Sequence, residues 1–413
     1  MQITLKKILG SCLFAAVLLL VGSRVSFAGI GISATLGSLP PERITFAGVG
    51  AHGIFDPSVA LDPVTGRLWM SYSAVEGPTN NVNVVAIRLA YSNDQGKTWI
   101  GSSSGGLISN FLDVSIPLPP PNNAGTWINE VSQLIYDPGA IPAERWKILW
   151  HHYLVVNGAR LFEHGWIAMK VASTPQGLAA APEIKLFGGY LYNAGNNIAG
   201  GGSRSPVGGA PLIQLDIAIP ELNSCLFTEP GLYATKGALY LSLQCEHFAG
   251  TQVDDRLIVL LKCTSPCNTG SAASWSYLGT ALKKSDATAF GFDFGFAAPS
   301  MFASGKDVYL VVTGANLVTP PVGIPYAKYS GCRVFKFADI ETAKLESIGV
   351  QPTLVGSVDG TAGSFNGACA YHVSASKSGM LFGEINTAVV DTFQMFRSHI
   401  NFRSKTTGPG TPR

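Results

Sequence analysis

The stretch Ser92-Asn93-Asp94-Gln95-Gly96-Lys97-Thr98-Trp99 decides how this chain is read. It follows Val84-Val85-Ala86-Ile87-Arg88-Leu89-Ala90-Tyr91, a β-branched and apolar run that reads as a strand. The short side chains of Ser92 and Asp94 are suited to bond nearby backbone N–H groups. Gly96 supplies the positive φ of a tight reversal. Trp99 then opens the next strand by packing into a core. A strand, a polar turn and a returning strand that leads with an aromatic make an antiparallel unit.

The chain repeats this kind of unit. The first copy is Asp56-Pro57-Ser58-Val59-Ala60-Leu61, a turn at Asp62-Pro63-Val64-Thr65-Gly66, and Arg67-Leu68-Trp69-Met70-Ser71-Tyr72. The second starts near Asn129-Glu130-Val131, turns at Asp137-Pro138-Gly139 and continues as Trp146 to Tyr153. Thr228-Glu229-Pro230-Gly231-Leu232-Tyr233 opens the third, Ala298-Pro299-Ser300-Met301-Phe302 the fourth, and Cys369-Ala370-Tyr371-His372-Val373 the fifth. Third strands follow in the same order, and Ser173-Thr174-Pro175-Gln176-Gly177 is a decayed form of the opening turn. Ordered copies that fill a chain predict an all-β, five-bladed β-propeller. Arg43-Ile44-Thr45-Phe46-Ala47 is placed to supply the outer strand of the last blade and close the ring. A sixth blade between residues 160 and 225 is the rival reading; there the Gly-rich stretch Asn193 to Gly209 reads as a loop over one face.

The opening turn resembles the Asp-box of sialidases and other bacterial propellers, Ser-x-Asp-x-Gly-x-Thr-Trp, at all five defining positions. That turn sits at the outer rim of a blade, so the resemblance implies architecture rather than chemistry.

Residues 1–28 read as a secretory signal. Lys6 and Lys7 precede an apolar run from Ile8 to Val21, and Ser26-Phe27-Ala28 offers small residues for cleavage. The run is shorter than the roughly 20 residues a membrane span needs, so no stable membrane anchor is expected. Residues 29–403 then form one propeller domain and 404–413 a flexible tail. Charged residues make up only 13% of the chain and net charge is +2. This balance argues against nucleic acid or an anionic membrane as the main partner, and makes an uncharged ligand the natural expectation. Six cysteines remain outside the signal, an even count that reads as disulfides in an exported chain. Cys225 and Cys245 flank a predicted hairpin, Cys263 and Cys267 close a small loop, and Cys332–Cys369 follows by elimination. Zinc finds no finger spacing here.

In a propeller the first strands line the central channel. Asp56, Glu130 and Glu229 lead three of them, and converging carboxylates suit glycosidic bond cleavage. Phe55-Asp56-Pro57-Ser58-Val59 and Thr228-Glu229-Pro230-Gly231-Leu232-Tyr233 resemble blade-one and blade-three motifs of the five-bladed arabinanase/β-xylosidase/invertase group of glycoside hydrolases. The resemblance implies a carbohydrate ligand, with Asp56 as base or nucleophile and Glu229 as general acid. It implies Glu130 as the second-blade group, although that pattern has Asp there and this chain has one extra residue before Asp137-Pro138. His372 resembles a position where some members place a histidine near an axial cation.

Each assignment has a plainer counterpart. Asp56 and Glu229 precede prolines and can simply start strands, and Glu130 can be a satisfied channel carboxylate. His372 can be a hydrogen-bonded core histidine. Trp127 and Trp150 are candidate sugar-stacking platforms, or space-fillers between blades. His151 and His152 point to opposite faces of one strand, so at most one reaches a site. This chemistry requires no cofactor, and no loop motif supports a Ca²⁺ site.

Two other functions stand beside the hydrolase. A non-catalytic propeller binding glycans or proteins is one. A six-bladed sialidase-like glycosidase is the other; it needs three arginines gripping a carboxylate, plus a Tyr–Glu pair. Arg160, Arg256 and Arg333 lie on third strands or loops, where they are expected to stay away from the axis.

Overall fold

Alternating apolar strands and short polar turns bury their side chains only by stacking sheet on sheet, and five sheets do so here. The computed structural model describes residues 41–46, 50, 52–79, 82–101, 106–115, 123–188, 213, 215–223, 225–249, 252–319, 321, 326–360, 365–372, 378–386, 392–400 and 402. The proposed signal, the Gly-rich stretch Asn193 to Gly209 and the tail lie outside them.

Among the described residues the strands form five blades, antiparallel within each, and one parallel pair, Ser330 opposite Asn366, joins blades four and five. Blade one runs Ile54–Leu61, Leu68–Thr79, Val82–Ser92 and Ile100–Gly101. Blade two runs Ala124–Tyr136, Trp146–Val156, Ala159–Ala172 and Ile184–Gly188, with Leu112–Ser115 added beside its first strand. Blade three comprises Cys225–Ala234, Ala238–Ala249, Gln252–Thr264 and Trp275–Leu282. Blade four comprises Gly295–Ser304, Asp307–Val318, Tyr326–Asp339 and Leu354–Val358. Phe365–His372, Gly379–Asn386 and Thr392–Ser398 make blade five, and Glu42–Ile44 completes it as the outer strand, with Arg43 opposite Phe396. The described residues between 160 and 225 extend blade two or form short helices, so they build no sixth blade.

The first strands neighbour one another in a closed cycle, one to two to three to four to five and back to one. An apolar core fills each junction. Trp69 and Leu89 of blade one meet Trp127, Trp150 and Trp166 of blade two, and Leu149 and Ile167 of blade two meet Leu241 and Leu243 of blade three. Equivalent clusters join three to four, four to five and five to one. Full burial of one such side chain contributes about 1.5–3 kcal/mol, so inter-blade packing is the main stabilising term.

The turn that opens the sequence analysis is built as its residue types dictate. The Ser92 hydroxyl accepts Gly96 N–H at 2.7 Å, and Asp94 accepts both the N–H of Thr98 at 2.8 Å and its hydroxyl at 2.6 Å. Gln95 and Gly96 both take positive φ, 60° and 84°. The turn seats against blade five, where the fully buried Arg397 donates to Gly96 O at 2.7 Å and also pairs with Glu42. The same guanidinium thus ties the first blade to the closing strand. Disulfides Cys225–Cys245, Cys263–Cys267 and Cys332–Cys369 complete the framework, the last linking blades four and five.

Candidate active site

One backbone irregularity recurs on every first strand. The register of each slips by one residue, between Phe55 and Ser58, Glu130 and Gln133, Thr228 and Pro230, Ala297 and Ser300, and Gly367 and Cys369. At four of these bulges a non-glycine residue has positive φ: Asp56 at 50°, Val131 at 53°, Glu229 at 48° and Ala298 at 46°. Such a conformation costs about 1–3 kcal/mol per residue and persists only where the surroundings impose it. Bulges re-aim side chains, and proline within a sheet is tolerated there. Pro57, Pro230 and Pro299 each follow a bulge residue directly.

Two of the bulge residues are carboxylates, and both bond onward to the next blade. Asp56 Oδ2 accepts the N–H of Val131 at 2.9 Å and the hydroxyl of Ser73 at 2.7 Å. Glu229 Oε2 accepts the N–H of Ala298 at 2.6 Å, and its Oε1 accepts the Tyr329 hydroxyl. The three apolar bulge residues, Val131, Ala298 and Ala368, cluster with one another.

Glu130 is the residue before a bulge, not the bulge residue. Its Oε2 accepts the Tyr153 hydroxyl at 2.6 Å, and Arg160 Nη2 lies 3.9 Å from its Oε1. The three carboxylates still act on each other. Burial raises Asp56 well above the usual carboxylate range, and the charges of Glu130 and Glu229 add to this, against the Ser73 and Val131 donors. Burial pushes Glu229 up to about 7, aided by Glu130 and Glu246 and opposed by its Tyr329 and Ala298 bonds. A half-buried carboxyl that holds its proton near neutrality is equipped to give it to a leaving oxygen.

The other expected ligand contacts lie elsewhere. Trp127 and Trp150 are 3% and 0% exposed within the core between blades one and two, so neither ring face is open to a sugar. Trp150 Nε1 donates to Asn129, and Trp127 stacks on His152 at 5.0 Å. His372 is 2% exposed beside Arg397 and Gly96, on the blade-five side of the Ser92–Trp99 turn, and joins none of the carboxylates.

Three participants were not legible in the first-strand motifs. Tyr153 and Tyr329 arrive from a second and a third strand. Arg160 arrives from the tip of the blade-two hairpin, contrary to the expectation that it stays off the axis. Arg256 instead pairs with Glu246, and Arg333 with Asp359, so the three arginines do not assemble around one anion. The Val131 placement did have a cue: the extra residue before Asp137-Pro138 shifts blade two by one position.

Solved structures that this chain resembles include glycoside hydrolases. A thermostable family-43 glycoside hydrolase aligns at 12% identity and TM-score 0.47, covering 89% of this chain and 98% of that one. A native Bacillus subtilis arabinanase aligns at 10% identity and TM-score 0.42, covering 86% and 96%. A family 117 glycoside hydrolase from the marine bacterium Zobellia galactanivorans aligns at 12% identity and TM-score 0.44, covering 88% and 90%. No family model matches the chain, and no curated protein matches it. At these identities and scores the likeness carries no residue role across.

Proposed function

We propose that this chain is an exported carbohydrate-active propeller that hydrolyses glycosidic bonds. Glu229 is the proton donor, Asp56 the base or nucleophile, and Glu130 the charge that tunes both. The observation that carries this reading is the place of Glu229, at a first-strand bulge with Oε2 fixed by Ala298 N–H and Oε1 by the Tyr329 hydroxyl, where burial pushes it up to about 7.

The chemistry follows from the bonding. Ala298 N–H occupies Oε2 of Glu229, so the proton is best carried on Oε1, where the Tyr329 hydroxyl can turn to accept it. Both fixed donors to Asp56 fall on Oδ2, so Oδ1 is the oxygen left to act on water or the anomeric carbon, and with Asp56 only 4% exposed that edge is reached at the buried end of the site. Three disulfides fit an oxidising, extracytoplasmic compartment.

A second reading, a non-catalytic glycan-binding propeller, is favoured by one specific observation. Asp56 and Glu229 each bond the bulge amide of the following blade, a structural task that needs no substrate. Release of reducing ends from a panel of plant and algal oligosaccharides by wild-type protein separates the two. Turnover that E229Q abolishes supports the hydrolase, and binding without turnover supports the second reading.

A further inference from the structure

Arg160 follows the Asn157-Gly158 turn, whose φ values of 49° and 79° bring the second and third strands of blade two together. Its side chain is 57% exposed. The guanidinium has a single ion-pair contact among the described residues, the 3.9 Å approach to Glu130, which is too long for a hydrogen bond. Its charge nevertheless acts on Glu130, Glu229, Tyr153 and Tyr329, so it belongs to the same site. Planar, forked N–H donors open to solvent beside a reactive centre match an oxyanion in two-point geometry.

An apolar surface stands next to it. Phe162, two residues along the same strand, is partly exposed and meets Tyr153 edge-on at 4.8 Å and His151 at 5.3 Å. Aromatic edges and faces accept the C–H surface of a sugar ring. A cation and an aromatic on one hairpin therefore offer a ring contact and a charge contact together.

The site can take a further negative charge. Glu130 already faces Arg160, while burial holds Glu229 neutral up to about 7. The low net charge of the whole chain, which led to the expectation of an uncharged ligand, describes the overall surface and not this hairpin.

We propose that Arg160 anchors an acidic saccharide, one whose ring carries a carboxylate or sulfate group, with Phe162 beneath the ring. This rests on the hydrolase reading only for the location of the site, since the anchor is a binding element in either function. The group acts as a specificity determinant; it takes no part in bond cleavage.

The test is titration calorimetry on the full mature protein and on E229Q, which binds without turning over. The probes are an oligogalacturonide, a sulfated galactan oligosaccharide, and the carboxyl-reduced and desulfated counterpart of each. One acidic probe binds more tightly than its neutral counterpart, and high salt weakens that binding. R160Q loses roughly tenfold to a hundredfold in affinity for it and none for the neutral one. R160K, which keeps the charge without the fork, recovers part of the loss. The carboxylate and sulfate arms show which oxyanion is recognised. Equal binding of acidic and neutral probes, no binding of either acidic probe, or an R160Q as tight as wild type each overturns the proposal. Melting curves for R160Q and R160K confirm that the fold is intact. Acidic binding that R160Q weakens, with no turnover by wild type, sinks the hydrolase reading alone; turnover of an acidic substrate that ignores R160Q sinks this one alone.

Discussion

Glu229 accepts the backbone N–H of Ala298, the bulge residue of the next blade, at 2.6 Å. Asp56 and Val131 stand in the same relation two blades earlier, at 2.9 Å. Each carboxylate therefore holds a strained amide of the next blade in place while taking a hydroxyl donor as well, Tyr329 at Glu229 and Ser73 at Asp56. The local strain at the bulges and the perturbed acidity of the carboxylates are parts of one arrangement.

That double duty separates two Asp56 variants. Asp56→Ala leaves the buried Val131 N–H and Ser73 hydroxyl without their acceptor, at a cost of about 1–3 kcal/mol. Asp56→Asn keeps an acceptor oxygen and leaves stability close to wild type, but removes the base. Its kcat falls by roughly a hundredfold or more. Urea unfolding beside steady-state kinetics checks both.

Tyr329 and Glu130 pull the acidity of Glu229 in opposite directions. The Tyr329 hydroxyl favours the charged form and Glu130 disfavours it. Tyr329→Phe therefore raises the Glu229 pKa and moves the alkaline limb of kcat/KM to higher pH. Glu130→Gln moves that limb lower. Limbs that stay in place in both variants contradict the assignment of Glu229 as the acid.

Stability in acid is set by buried histidines. Burial lowers His151 and His152 to about 3 and His372 to about 4, from an ordinary 6.5. Each stays neutral in the fold while the unfolded chain takes up a proton below about 6.5. Stability from this source is complete above that value and is lost as pH falls towards 3, by about 1.4 kcal/mol per histidine per unit. Glu229 works the other way, favouring the fold as pH falls from about 7 to its ordinary 4.5, where its contribution levels off. Three histidines outweigh the opposing carboxyls, so stability is expected to fall from about pH 6.5 downward and more steeply below about 4.5, read as a falling urea midpoint. A midpoint flat from about pH 6.5 to 3 contradicts it.

Ring closure depends on Arg397. Its guanidinium is fully buried and bonds both Gly96 O and Glu42. Arg397→Ala lowers stability by about 2–3 kcal/mol, less than for a fully buried pair because Glu42 is partly solvated. Thermal unfolding with the disulfides intact measures it.

The fold was legible because its signals are local and repeated. Hairpin turns, Pro after the bulge residue in three blades, and the closing strand at Arg43-Ile44 each follow from a short run of residues. The cysteine pairs followed from hairpin proximity and an even count. Asp56 and Glu229 were singled out as the leading residues of two Pro-containing first-strand motifs, and both stand at bulges. Val131 was not, because blade two lacks that proline and gains a residue, and a one-residue slip moves a side chain to the other face. Trp127, Trp150 and His372 were misplaced because a residue type does not reveal which blade will cover it. Arg160 was missed because its approach to Glu130 joins a hairpin tip to a first strand, a pairing that no short run of residues marks.

The central claim is that Glu229 delivers a proton to the leaving oxygen, and leaving-group dependence tests it most directly. Wild type and Glu229→Gln are compared on an oligosaccharide and on a dinitrophenyl glycoside of the same sugar, whose leaving group needs no proton. The account predicts that the variant loses roughly a hundredfold or more on the oligosaccharide and far less on the activated glycoside. Equal losses on the two substrates, or no loss on either, contradict it.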